Sequence, residues 1–297
     1  MTSTGTLGGT VLPVAGERLF ALSHPYELDG RVGTHPLEAR GWSAAHCYVF
    51  VENERALLLN TGYSAHQEAL LAQLDGIVGG RTLSLMIPRP EFISMCNARP
   101  VADRFTVDTV WLKGRFDASD LLNFRPEFGP ADDGLKAAQT HLLERGVPVP
   151  VDPAAGGGLE VISPELRLLP CSWSYDEATR TLFTGDIFGW VTRESRDGPW
   201  SVDGTDGDPT TSEDVEQFLV RNRYWWLAGA DTEPLRRSLA DLFERLEIAT
   251  IAPDTGCLLL GHAVVDRHYE LLDTALARAG RSRSVGVEAG RWRLRAS

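Results

Sequence analysis

Residues 81–97 read RTLSLMIPRPEFISMCN, and the fold turns on them. The first seven, RTLSLMI (81–87), form a short apolar run of strand length, with Gly79-Gly80 before it and Pro88 after it. The strand has to stop at Pro88, because proline has no N–H for a ladder and restrains the residue before it. The loop that follows is dense in chemistry: Arg89, Glu91, Ser94 and Asn97 fall within nine residues, and a short helix is expected from Asn97.

Working upstream, residues 46–52 (HCYVFVE) and 56–60 (ALLLN) read as two strands flanking the polar turn Asn53-Glu54. Thr61-Gly62 breaks the second. Ser64 is placed to cap a helix whose Leu70, Leu71, Leu74 and Ile77 share a face. Downstream, a strand is expected at 108–112 (DTVWL), and Leu135, Ala138 and Leu142 fall in helical phase. AAGGG (154–158) reads as a loop, and strands are expected at 166–169, 172–175 and 181–184. Residues 190–211, rich in Gly, Asp, Pro and Ser, read as a long surface loop. Ser212 is expected to cap one helix, and Thr232 with Pro234 to open another along Leu235, Leu239, Leu242 and Leu246. A short strand (249–252) precedes a last helix marked by Val264, His268, Leu271 and Ala275. Strands interleaved with helices, without a G-x-G-x-x-G, predict a layered α/β protein unlike a dinucleotide-binding fold. With no short repeat and no clean linker, residues 1–297 are read as one domain.

The totals set bounds. A chain of 297 residues, 43% of them hydrophobic, buries a large core. No apolar run approaches the roughly 18 residues of a membrane span. Met1–Thr10 carries neither a basic patch nor an apolar run, so a cytoplasmic protein is expected. A net charge of -12 argues against nucleic acid and anionic membranes as partners, since both reward a basic face. Cys47, Cys96, Cys171 and Cys257 are far apart with no C-x-x-C, which argues against a zinc ribbon or redox dithiol and favours cysteines buried as small apolar residues.

Four stretches, in order, resemble the metallo-β-lactamase superfamily, and within it the flavodiiron and oxygen-binding diiron proteins: LLLNTGY (57–63), IPRPEFISMCN (87–97), YDEATRTLFTGDIFG (175–189) and IAPDTGCLLLG (251–261). The resemblance implies a four-layer αββα sandwich and a homodimer. It also implies two metal ions held by histidines, carboxylates and a shared aspartate, a set suited to offsetting repulsion between paired cations. In the register set by Pro90-Glu91-Phe92 and Asn97, this chain departs from that set. Arg89 stands for the first histidine, Ile93-Ser94 for an Asp-His pair, Thr255 for the last histidine and Asn60 for the aspartate that orients a ligand. The histidine expected before 175 is missing, the chain running from Pro170-Cys171 into Trp173. Only Glu91 and Asp186 are retained. No flavodoxin-like or rubredoxin-like segment is read within these 297 residues.

The resemblance therefore implies the fold, while the residues point to a site without metal or cofactor that takes a small molecule, an anion being one option. Glu91 and Asp186 are the candidate acid or base, since burial raises a carboxylate pKa and Arg89 opposes the rise. Arg89, His46, Thr255, Ser94 and Trp173 are the candidate binding residues. An Arg89–Asp186–Glu91 ion cluster that merely fills the site is the plainer expectation. Other readings stay open. Two carboxylates and waters suffice for weak magnesium binding. His24, His35 or His46 are placed to rebuild a metal site, while His66 and His141 are read as helix residues, His66 on the surface. Cys171 and Cys257 stand beside lost ligand positions as possible ligands or nucleophiles. Tyr224-Trp225-Trp226 reads as helix-end packing, or as a pocket wall or dimer surface. An active metalloenzyme with unorthodox ligands and a catalytically dead scaffold complete the alternatives.

Overall fold

A computed structural model of the chain describes residues 8–114 and 134–281. The chain divides into two compact units, one of Met1–Tyr26 and Ala44–Gly185, the other of Glu27–Ser43 and Asp186–Ser297.

The first unit is built on a seven-stranded sheet whose spatial order follows the chain: β1 (Thr10–Ala15), β2 (Leu19–Glu27), β3 (Trp42–Glu52), β4 (Arg55–Leu59), β5 (Thr82–Ile87), β6 (Val107–Leu112) and β7 (Gln139–Leu142). β3 and β4 form an antiparallel hairpin, and β4 through β7 are parallel. Parallel neighbours need crossovers, which α1 (Gln67–Val78) supplies after β4, and α2 (Phe92–Met95) with α3 (Ala98–Arg104) after β5. β4 and β5 are buried on both faces, which is why LLL and LSLMI do not alternate with polar residues. On one face Leu58, Leu83 and Leu85 pack with Leu70 and Leu74 of α1 and Val101 of α3. On the other, Tyr48 and Phe50 of β3 meet Phe183 edge-on at ring distances of 5.0 and 5.5 Å. Phe183 lies on β10 (Thr181–Phe183), which pairs antiparallel with β9 (Trp173–Asp176), itself paired with β8 (Glu160–Ile162). The turn between β9 and β10 is fixed by Asp176, whose Oδ2 accepts from the Thr179 N–H (3.0 Å) and hydroxyl (2.7 Å).

The second unit holds β11 (Ser201–Val202) parallel to β13 (Leu258–Leu260), with β12 (Thr250–Ala252) antiparallel to β13. Its helices beyond the short α4 (Gly134–Ala137) of the first unit are α5 (Ser212–Val220), α6 (Glu233–Arg245) and α7 (His262–Arg281). Val264, Val265, His268, Leu272, Ala275, Leu276 and Ala279 form the buried stripe of α7.

Several expectations change. The Leu135–Leu142 pattern is not one helix: α4 ends at Ala137, and 139–142 becomes β7, paired to β6. Pairing with a waiting sheet edge outweighs the weak helical phase. His141 is therefore on a strand, stacked on Trp111 at 4.7 Å. Residues 166–169 form no strand, and Leu168 and Leu169 are each 41% exposed. Ser64 starts a 3-10 turn, Ser64–His66, ahead of α1, and His66 is buried rather than on the surface. α5 is capped by Thr211, not Ser212, through a reciprocal box with Asp214. The 190–211 segment is pinned. Trp190 Nε1 donates to His268 Nδ1 (3.0 Å), which leaves His268 Nε2 to donate to Asp208 Oδ2 (3.0 Å), and Arg267 reaches the same carboxylate. Among the described residues no helix is long and apolar enough to cross a membrane.

Candidate functional site

In the first unit, the loop after β5 closes on the turn after β4. Asn60 stands at φ 64, a left-handed conformation that asparagine tolerates better than most residues, and Gly62 follows at φ 70. A Cβ on Gly62 would meet Cys47 Sγ at 3.2 Å, so the turn sits tightly on β3. The Ile93 carbonyl accepts from the N–H groups of Thr61 (3.3 Å) and Gly62 (2.8 Å). Asn97 Nδ2 donates to the carbonyls of Thr61 (2.7 Å) and Tyr63 (3.0 Å), while its N–H donates to Thr61 Oγ1 (3.1 Å). Ser94 Oγ donates to Asn60 Oδ1 at 2.7 Å. Ile93 and Ser94 thus hold two loops together, through a backbone carbonyl and a neutral hydroxyl–amide bond. Arg89, with 5% of its side chain exposed, places NH1 3.0 Å from Glu91 Oε2. Glu91 begins α2 in an extended conformation.

The other first-unit candidates are buried among other partners. His46 Nδ1 lies 2.9 Å from Ser23 Oγ, and its ring is tilted against Tyr48. Trp173, 1% exposed, is a core residue of β9. His24 stacks on His66 at 5.2 Å and bonds Gln73 at 3.0 Å. Burial and the neighbouring His66 hold His24 down to about 3, with Gln73 opposing.

In the second unit, Asp186 begins a turn in which Phe188 sits at φ 72, a strained position for a bulky residue, held by packing on Trp190 and Phe243. Gly189 follows and donates to the Asp186 carbonyl at 3.1 Å. A Cβ on Gly189 would lie 2.8 Å from both Thr255 O and Thr255 Oγ1, and one on Gly256 would lie 2.6 Å from Gly189 O. Two glycines thus let the TGDIFG and PDTG backbones cross in contact, which brings Thr255 beside the Asp186 turn. Thr255 Oγ1 is buried, with no hydrogen-bond partner among the described residues. Gly256 N–H donates to Ser43 Oγ at 3.1 Å.

Asp186 has its own cation. Arg223 NH1 donates to Asp186 Oδ2 at 2.8 Å, with the carboxylate 3% exposed and the guanidinium 18%. The sequence points to Arg89 as the cation of this site; Arg223, between α5 and the aromatic cluster, is an addition the structure makes. It lies in no motif, and the only nearby signal was the Tyr224-Trp225-Trp226 run it precedes. That run divides: Tyr224 is 4% exposed and Trp225 46%. His35 joins this half. It is buried, its Nδ1 lies 3.1 Å from Thr34 Oγ1, and its ring meets Phe218 edge-on. Burial pushes its pKa down to about 4 against the pull of the Asp186 charge and the Gly189 backbone, so it is neutral at pH 7. Burial likewise drives the Cys257 thiol up to about 12, which removes it as a nucleophile.

No family model matches the sequence, and no curated protein matches it. Solved structures do. Rubredoxin oxygen:oxidoreductase from Desulfovibrio gigas matches with a TM-score of 0.64 at 12% identity, over 90% of this chain and 61% of that one. A protein described as diflavin flavoprotein A 5 from Nostoc sp. PCC 7120, as a fragment, matches with a TM-score of 0.64 at 15% identity, over 91% and 96%. The flavodiiron protein from Giardia intestinalis matches with a TM-score of 0.55 at 15% identity, over 88% and 57%. The chain thus spans 61% and 57% of the lengths of the Desulfovibrio and Giardia proteins. At these identities the likeness establishes the fold: an α/β protein with the metallo-β-lactamase-like architecture of flavodiiron cores.

Proposed function

We propose that the chain keeps this fold without its dimetal chemistry and serves as a metal-independent protein that binds or transforms a small molecule. The observation that carries the reading is that each retained carboxylate already holds a guanidinium: Glu91 that of Arg89 at 3.0 Å, Asp186 that of Arg223 at 2.8 Å. A fixed cation answers the charge that a metal would otherwise answer, and a second positive charge beside it is repelled. The remaining donors fit no better. Ser94, Asn60 and Thr255 are neutral oxygens, and Ile93 offers no side-chain donor. Among the described residues, no three His, Cys, Asp or Glu side chains gather as a metal set.

In this reading Glu91 and Asp186 are the acid or base candidates. Arg89, Ser94 and Thr255 are the binding candidates, and His46 and Trp173 shape the surroundings. The protein works as a single domain, paired and cytoplasmic. The test is elemental analysis of protein expressed with iron and zinc and purified without chelators. The expected content is well below one equivalent of either metal per chain, and about two equivalents would overturn the proposal.

The second reading is a diiron protein with unorthodox ligands. The names of the structural neighbours favour it, as does neutral His35 within the field of Asp186, a nitrogen donor beside a carboxylate. The same measurement separates the two.

A further inference from the structure

We propose that the first unit carries a second ligand site, a basic pocket formed by Lys113, Arg167, Ser163 and Cys171 with Leu168 and Leu169 at its edge, which takes an anion bearing an apolar chain. The pocket encloses about 350 Å³, within the range of small-ligand sites. Its place follows from the sheet. Lys113 leaves the end of β6, its N–H bonded to the Ile87 carbonyl at 3.1 Å, and Ser172 donates to the Pro88 carbonyl at 2.9 Å. The 163–172 segment is thereby hung on the carboxyl end of β5, beside that of β6, the edge where parallel sheets present ligands. Nothing in this assignment depends on whether the chain binds metal.

The charge is the telling feature. This is an acidic chain, and Arg18, Arg55, Arg104, Arg223, Arg236 and Arg267 each hold a carboxylate. Lys113 and Arg167 do not: among the described residues Lys113 Nζ donates to the Leu143 carbonyl at 3.4 Å, and Arg167 NH1 donates to the Pro164 carbonyl. A lysine has three donors and an arginine five, so among the described residues most of their donors hold no acceptor. A carboxylate or phosphate head takes charge-assisted bonds from both, with the Ser163 hydroxyl alongside. Leu168 and Leu169, each 41% exposed, offer the apolar wall for a chain attached to that head.

Cys171 reports on the site from inside. It is a half-buried cysteine outside any disulfide that lines the pocket, and Cys96, likewise half-buried and outside any disulfide, lies elsewhere in the same unit. The experiment follows alkylation of both thiols in the full-length protein by peptide mapping. The anionic reagent iodoacetate should favour Cys171 over Cys96 relative to neutral iodoacetamide. Octanoate should slow the labelling of Cys171 about tenfold while leaving Cys96 unchanged, and octan-1-ol should not. The Lys113→Met/Arg167→Met protein should lose both effects. Arg167→Met alone, at an exposed position, should lose most of the octanoate protection if the double variant does not fold. The proposal is overturned if octanoate leaves Cys171 labelling untouched, if octanol protects equally, or if the folded variants are protected as well as the wild type.

Discussion

The 88–97 loop of the first unit and the 186–189 turn of the second each set an acid against a guanidinium, but by different routes. Arg89 and Glu91 are two residues apart, and their pairing is a property of the loop itself. Asp186 and Arg223 are 37 residues apart, and their pairing needs α5 packed in place. The first is embedded in neutral hydrogen bonds that staple two loops, with Asn60, Thr61, Ser94 and Asn97 as the staples. The second sits on strained backbone at Phe188, beside a crossing that only glycine allows and a histidine kept neutral by burial. A local pair survives small changes in packing. A tertiary pair on strained backbone depends on everything around it, and its loss should cost more.

Arg223→Ala tests the deeper side first. It removes the Arg223 guanidinium from a carboxylate that is 3% exposed, and the expected loss is about 3–4 kcal/mol of unfolding free energy by urea titration. Adding Asp186→Asn should return part of that loss, because the buried charge that Arg223 offsets goes with it. An unchanged midpoint for the single variant would mean that Asp186 does not lean on Arg223.

His35 should give the next largest effect, and it appears as a pH dependence. Its folded pKa, about 4, lies below the ordinary value of 6.5, so between the two the unfolded chain binds the proton and the folded chain does not. Stability is therefore full above pH 6.5, falls as pH drops from 6.5 towards 4, and levels off below. Between pH 7 and 4.5 the His35 share is about 2–3 kcal/mol. His24 of the first unit has the same sign but continues to about pH 3. Stability curves of His35→Gln and His24→Gln against pH should each be shallower, and should part from one another below pH 4. A wild-type slope retained in His35→Gln would remove the buried-neutral assignment.

The same contrast explains what the sequence disclosed. The strand at 81–87, its stop at Pro88, the Asn60-Thr61-Gly62 turn and the 175–189 hairpin were legible because each is written in adjacent residues. The Arg89–Glu91 pair was legible for that reason as well. Arg223 was not, because nothing local marks which of many arginines will meet Asp186 once α5 has docked. His35 stood among several histidines with no periodicity to single it out. His66 looked like a helix-surface residue because its burial under Tyr63 and His24 is tertiary. The 139–142 strand was hidden by an accidental helical phase that the β6 edge overrode.

Arg89→Ala asks whether the local pair is the weaker one. Glu91 keeps 14% of its side chain exposed, so water answers part of the charge once Arg89 is gone. The expected loss is about 2 kcal/mol, less than for Arg223→Ala, with lysine at 89 restoring some of it. A loss exceeding that of Arg223→Ala would reverse the ranking and place the greater dependence in the first unit.

Ser94→Ala is the finest probe, since it removes one neutral hydrogen bond and no charge. Asn60 Oδ1 is buried and would lose its 2.7 Å donor, while Thr61, Asn97 and the Ile93 carbonyl continue to hold the two loops. The expected cost is about 1 kcal/mol, the size of a single neutral hydrogen bond. Ser94→Ala with Asn60→Ala should then cost less than the two separate losses combined, because each single variant already removes the shared bond. Strict additivity would mean that the bond contributes nothing, and that the loops are held by their backbone contacts alone.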